Sequence, residues 1–138
     1  MSNVTQIKPK FPENEKITIN LGFVDLGRID LLVQEGFYSN RSDFIRTAIR
    51  NQIDAQSDAV SKTVERHTME LGLRDYSVAD LEAVRAANEV LHIKVVGLAR
   101  IAGDVTPELA LASIGSINVL GALQASAEVK KALAGRIS

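Results

Sequence analysis

The sequence predicts an α+β protein in two parts, and two observations carry that prediction. Near the N-terminus one short alternating strand is followed by two capped amphipathic helices, and near the C-terminus a strand-and-helix pattern recurs at an offset of 24 residues. A lone strand leaves N–H and C=O groups open along both edges, so the first pattern must find its partner on another copy of the chain. The expected organisation is a flexible arm over 1–14, a dimerisation domain over 15–56, a helical linker over 57–76 and a small repeat module over 77–138.

The strand comes first. Ile17, Ile19 and Leu21 alternate with Lys16, Thr18 and Asn20, the period-2 pattern of a strand buried on one face. Two such strands paired antiparallel about a two-fold axis present Lys16, Thr18 and Asn20 from each copy on one polar ribbon. A two-stranded ribbon fits the major groove of B-DNA. Lys donates to guanine O6 and N7, Asn bonds adenine N6 and N7 in a bidentate fashion, and Thr brings a hydroxyl and a methyl. The plainer alternative for an isolated strand is a solvated face.

A helix follows from about Phe23 to Glu35, with Leu26, Ile29 and Val33 at helical spacing and Gly36 placed to take a left-handed turn at its end. Gly27 inside it costs about 1 kcal/mol relative to Ala. The next helix begins within Ser39-Asn40-Arg41-Ser42-Asp43, where Ser39 and Asn40 are both good caps, and Phe44, Ile45, Ala48, Ile49 and Ile53 mark its apolar stripe.

This order of strand, helix, Gly and a Ser-x-Arg-Ser-acidic-Phe-Ile-Arg-x-Ala-Ile-Arg run resembles the ribbon-helix-helix proteins of the CopG, Arc and MetJ type over roughly a third of the chain. The resemblance implies an intertwined homodimer and a DNA-binding role, most members being transcriptional repressors or antitoxins. It also implies that Lys16, Thr18 and Asn20 read bases, and that Ser39, Asn40 and Arg41 clamp a DNA phosphate at the second helix N-terminus. The dipole and free N–H groups of a helix start favour an anion there. Gly22 departs from the Pro that the family often carries before its first helix.

Charge limits the non-specific component. Residues 1–56 carry seven basic and seven acidic side chains, and the whole chain is −1. Affinity from counterion release is therefore small. Binding must come from a local cluster of Lys16, Arg41 and Arg46, helped by Lys8 and Lys10 of the arm and multiplied by dimerisation.

Composition bounds the rest. At 46% hydrophobic and 24% charged residues, the chain reads as a soluble globular protein. The absence of Cys excludes disulfides and thiolate metal sites. No apolar run approaches the ~20 residues of a membrane span, and the polar N-terminus is not a signal peptide, so a cytoplasmic location is expected. Phosphate-loop, zincin and nucleophile-plus-base patterns are all missing, so no enzyme, cofactor or metal is expected.

Beyond Gln56, Ala59, Val60 and Val64 continue the apolar spacing, as one long helix or one broken near Ser57. Ser77 and Asp80 form a capping-box pair ahead of Leu81, Val84 and Leu91. His67 and His92 read as ordinary surface or edge residues.

The repeat then follows. Ile93-Lys-Val95-Val96-Gly97 recurs as Ile117-Asn-Val119-Leu120-Gly121, and Asp104-Val105 with Leu109-Ala110 recurs as Glu128-Val129 with Leu133-Ala134, with a weak earlier echo at Asp80-Leu81. The copies predict two neighbouring parallel strands, with helices over 107–112 and 129–135 on one side; Thr106-Pro107 is a strong helix start. Two copies leave sheet edges open, which points to pairing with other subunits; the alternative is a small closed domain.

Three functions remain open: a DNA-binding repressor with a C-terminal oligomerisation module, an antitoxin whose tail wraps a toxin, and a structural protein that uses the N-terminal unit only to dimerise. Antitoxin tails are commonly charged and disordered until bound, whereas residues 91–138 are apolar and patterned, so the repressor leads.

Overall fold

Helix ends set by capping chemistry divide the first half of the chain. In the computed structural model, which describes residues 13–138, α1 spans Phe23–Gln34, α2 Arg41–Ala55 and α3 Ser57–Arg66. α1 ends as its sequence predicts: Gly36 takes φ 84, its N–H donates to the Val33 carbonyl, and the Phe37 N–H donates back to Leu32. These bonds satisfy carbonyls that the last turn would otherwise orphan. The break between α2 and α3 falls at Gln56, one residue before Ser57.

The chain forms two compact units, one of residues 14–63 and one that joins Glu13 to residues 64–138. The expected arm lies outside the described residues except for Glu13 and Asn14; Lys8 and Lys10 fall outside them too.

In the second unit the order is β1 Glu70–Tyr76, α4 Val78–Ala86, β2 Leu91–Ile101, α5 Pro107–Ser113, β3 Ile114–Gln124 and α6 Ala127–Ala132, closed by a 3₁₀ turn at Ala134–Arg136. The sheet is parallel throughout, in the order β1-β2-β3. Ile93 lies opposite Ile117, the predicted 24-residue register, and Glu70 lies opposite Val95. All three helices start alike: Ser77, Thr106 and Ser126 each accept a bond from the backbone N–H three residues on.

Two expectations need correction here. Residues 70–76 form a strand where a helical linker was expected, and the module holds three strand-helix copies where two were counted. Both errors have one cause. β1 is an edge strand whose Leu71 and Leu73 remain exposed and which carries Glu70, Arg74 and Asp75, so it lacks the apolar run that marks β2 and β3. The shared feature is glycine: Gly72, Gly97 and Gly121 lie side by side across the sheet with φ of 125, 137 and 119.

The glycines are required by close approach. A Cβ on Gly97 would stand 2.2 Å from the Gly72 carbonyl oxygen, and one on Gly121 would stand 2.0 Å from that of Gly97. Each step of the sheet thus seats the carbonyl of one strand over a bare α-carbon of the next. One face of the sheet packs on the helices, with Leu81, Ile93, Val95, Ile101, Ile114, Ile117, Val129 and Leu133 fully buried. Part of the β3 edge is covered from within: Ile137 bridges Ile117, and the Ser138 N–H donates to the Ile117 carbonyl at 2.9 Å.

Gly121→Ala should therefore cost roughly 3 kcal/mol, from a left-handed φ combined with a backbone clash. Denaturant unfolding followed by circular dichroism measures it. A loss below about 1 kcal/mol, the ordinary cost of a surface change, would contradict the close approach.

Candidate nucleic-acid interface

Residues 14–22 belong to no helix or strand, and they pair with no strand among the described residues. Lys16, Thr18 and Asn20 are all exposed. So are the apolar residues between them, Ile17 at 71%, Ile19 at 56% and Leu21 at 36%. Period-2 alternation is thus present in sequence, while both the polar and the apolar residues of the segment are left exposed.

The rest of the unit is equally open. Ile29 is its one buried apolar residue among those described. Ile19, Leu21, Leu32, Phe44, Ile45 and Ile49 line a groove of about 390 Å³. Phe23, Val24 and Phe37 are exposed at 91%, 70% and 71%. That much apolar surface on so small a unit marks an interaction face.

At the start of α2 the predicted residues come together. Asn40 is the cap, its Oδ1 accepting the Asp43 N–H at 2.8 Å, while the Ser39 N–H donates to Asp43 Oδ2 at 2.9 Å. Tyr38 meets the ring of Phe44 edge-on, with centroids 5.0 Å apart, and this contact holds the turn against the helix. Because the Asn40 side chain takes only the Asp43 donor, helix geometry leaves the N–H groups of Arg41 and Ser42 without intrahelical carbonyls.

Arg41 itself is engaged. Its Nε and Nη2 donate to the two carboxylate oxygens of Asp30 on α1, both at 2.8 Å. This fork ties the start of α2 to α1. The hydrogen bond from Arg41 holds the Asp30 carboxyl below its ordinary range, and the same contact raises the guanidinium. Asp30 has no signal in the sequence for this pairing, because a carboxylate eleven residues before an arginine lies outside helical spacing. Arg46 and Arg50, farther along α2, are exposed.

His92 is exposed on β2, and its Nδ1 lies 2.7 Å from the Ser116 hydroxyl of β3. No group of three or more His, Asp or Glu suited to a metal occurs among the described residues. No helix among them is long and apolar enough to cross a membrane.

With this geometry in hand, comparison with protein families matches residues 12–130 to the ribbon-helix-helix transcriptional regulator family. The chain belongs to that family. The match runs well past the third of the chain that carries the sequence resemblance and takes in all three strands of the second unit. Neither the curated proteins nor the solved structures give a match.

The Asp30–Arg41 pair makes stability depend on acidity. A carboxylate whose folded pKa is depressed stabilises the protein above the ordinary carboxylate range, and that contribution is lost as pH falls through the depressed value. Asp80 adds to the same trend, its carboxyl lowered by the Ser77 backbone N–H. Asp30→Asn should lower the melting temperature at about pH 7 and reduce the further loss on acidification toward about pH 3. Melts of the two proteins that stay parallel across this range would rule the pair out as a contributor.

Proposed function

We propose that the protein is a sequence-specific transcriptional repressor that binds double-stranded DNA as a homodimer, with the second unit assembling dimers into larger complexes. The observation that carries this is the uncovered state of residues 15–21. Their alternating apolar side chains and open backbone edge are satisfied together when a second copy lays its own segment antiparallel alongside and closes the groove over Ile29 and Phe44. Lys16, Thr18 and Asn20 of both copies then form the ribbon that enters the major groove.

The start of α2 supplies the phosphate contact through the Ser39 hydroxyl and the N–H groups of Arg41 and Ser42. The Arg41 guanidinium reaches a phosphate by exchanging the Asp30 carboxylate for it. With Asn40 and Asp43 already satisfying the cap, this site is pre-organised. A nearly neutral chain makes few non-specific contacts, so affinity rests on duplicated specific ones. The order of the second unit supports assembly over a toxin-wrapping tail, which folds only when bound.

Asn20→Ala should relax discrimination at individual base pairs by roughly 1–3 kcal/mol, whereas Arg41→Ala should weaken all sequences alike and reduce the salt slope by about one. The check is binding to a selected operator, with its single-base variants, at several salt concentrations. Retention of operator binding by the Lys16, Thr18 and Asn20 triple alanine variant would remove the ribbon from the mechanism. Stability of the first unit should also rise with protein concentration.

A further inference from the structure

The strand edges of the second unit are complementary to each other, and we infer that β1 of one copy pairs in parallel with β3 of another, continuing the three-stranded sheet from molecule to molecule. The inference rests on the reading of this unit as the assembly module and names the surface it uses.

The glycine row carries it first. Gly97 and Gly121 hold their unusual φ because each receives the carbonyl of the preceding strand. Gly72 holds the same conformation, φ 125, yet nothing described lies within 4 Å of where its Cβ would be. Its slot is shaped for a carbonyl from a strand before β1. At the opposite edge, the Gly121 carbonyl occupies the position from which Gly72 and Gly97 each serve the next strand. One fills the other.

The free lengths match as well. The bridge from Ile137 and the hydrogen bond from Ser138 cover β3 at Ile117. β1 begins opposite Val95, which itself lies opposite Val119, so an incoming β1 needs the β3 edge only from Val119 onward. The cover ends below the segment that β1 requires. No described residue pairs with the outer edge of β1.

Charge then sets the polarity. Residues 70–89, at the β1 end, carry Glu70, Asp75, Asp80, Glu82 and Glu89 against Arg74 and Arg85. Residues 114–138, at the β3 end, carry Lys130, Lys131 and Arg136 against Glu128 alone. The helices stack in the same order as the strands, α4 on α5 and α5 on α6, so continuation brings the basic α6 beside the acidic α4 of the next copy. A head-to-tail contact of this kind joins unlike surfaces and propagates, in contrast to the two-fold contact of the first unit. It also extends the apolar rows on the open face of the sheet, Leu71 with Val96 and Leu120, and Leu73 with Leu98 and Ala122.

The chain has no cysteine, so introduced thiols report the register without background. In the continued sheet Leu120 lies opposite Leu71 of the next copy, and neighbouring strands are about 4.8 Å apart. Both leucines are exposed, at 62% for Leu71 and 60% for Leu120, so replacing them spares the core. The full-length Leu71→Cys, Leu120→Cys double variant, treated with a short thiol-to-thiol linker, should give dimers, trimers and longer ladders on a denaturing gel. Either single variant should stay monomeric on that gel, as should Leu71→Cys combined with Leu111→Cys on the helix layer.

Linking by Leu71→Cys alone or Leu120→Cys alone would mean a symmetric edge and would overturn the inference. An unlinked double variant would overturn it also. Sedimentation of the untreated protein separates the two levels: assembly beyond a dimer without the Leu71 to Leu120 link leaves the module's role standing but moves its surface, whereas a dimer at every concentration removes both.

Discussion

The demand that extended backbone find hydrogen-bond partners organises this protein. Among the described residues three strands form the sheet of the second unit, and residues 14–22 lie outside any helix or strand. Of these, β2 alone has a strand on each side, and β3 is closed in part by Ile137. An open edge is a template for pairing, and soluble proteins ordinarily blunt it with charge, bulges or cover. Here residues 14–22, the outer edge of β1 and the upper part of β3 are left available, and they stand on the two surfaces proposed for function: a ribbon for dimerisation and DNA, and a sheet edge for assembly.

The two units solve the burial problem differently. The second has a continuous apolar core beneath its sheet, with Leu81, Ile93, Val95, Ile101, Ile117 and Leu133 at or near zero exposure. The first buries Ile29 and little else within one chain. A unit so short of core is stabilised by association in the proposed dimer, which would tie the shape of the proposed DNA-reading surface to dimer formation. The Asp30–Arg41 fork and the Asn40 cap fix the start of α2 in advance of any partner. The helix start proposed to face phosphate is thus ordered locally, while residues 15–21 remain uncovered.

Much of this was legible in sequence where one element carries its own signal. The Gly36 helix end, the capping residues Asn40, Ser77 and Thr106, and the 24-residue register of β2 with β3 all follow from short-range spacing, because caps and strand alternation are local chemistry. β1 was not legible. An edge strand need not be apolar, so Glu70, Arg74 and Asp75 hide it among linker residues, and its kinship with β2 and β3 is carried by one glycine and by alignment in space.

The sequence by itself determined the helices, the strands β2 and β3, the caps at Asn40, Ser77 and Thr106, the alternation of Lys16, Thr18 and Asn20 with apolar neighbours, and the grouping of Ser39, Asn40 and Arg41 at a helix start. Only the tertiary structure decided that Arg41 is forked onto Asp30, that Gly72, Gly97 and Gly121 form one row in which carbonyls seat over bare α-carbons, and that the cover on β3 stops at Ile117. Each of these joins residues that are far apart along the chain and close across elements. Sequence spacing reports the periodicity of a single helix or strand, whereas side-chain pairing between helices and strand register between repeats depend on how those elements pack.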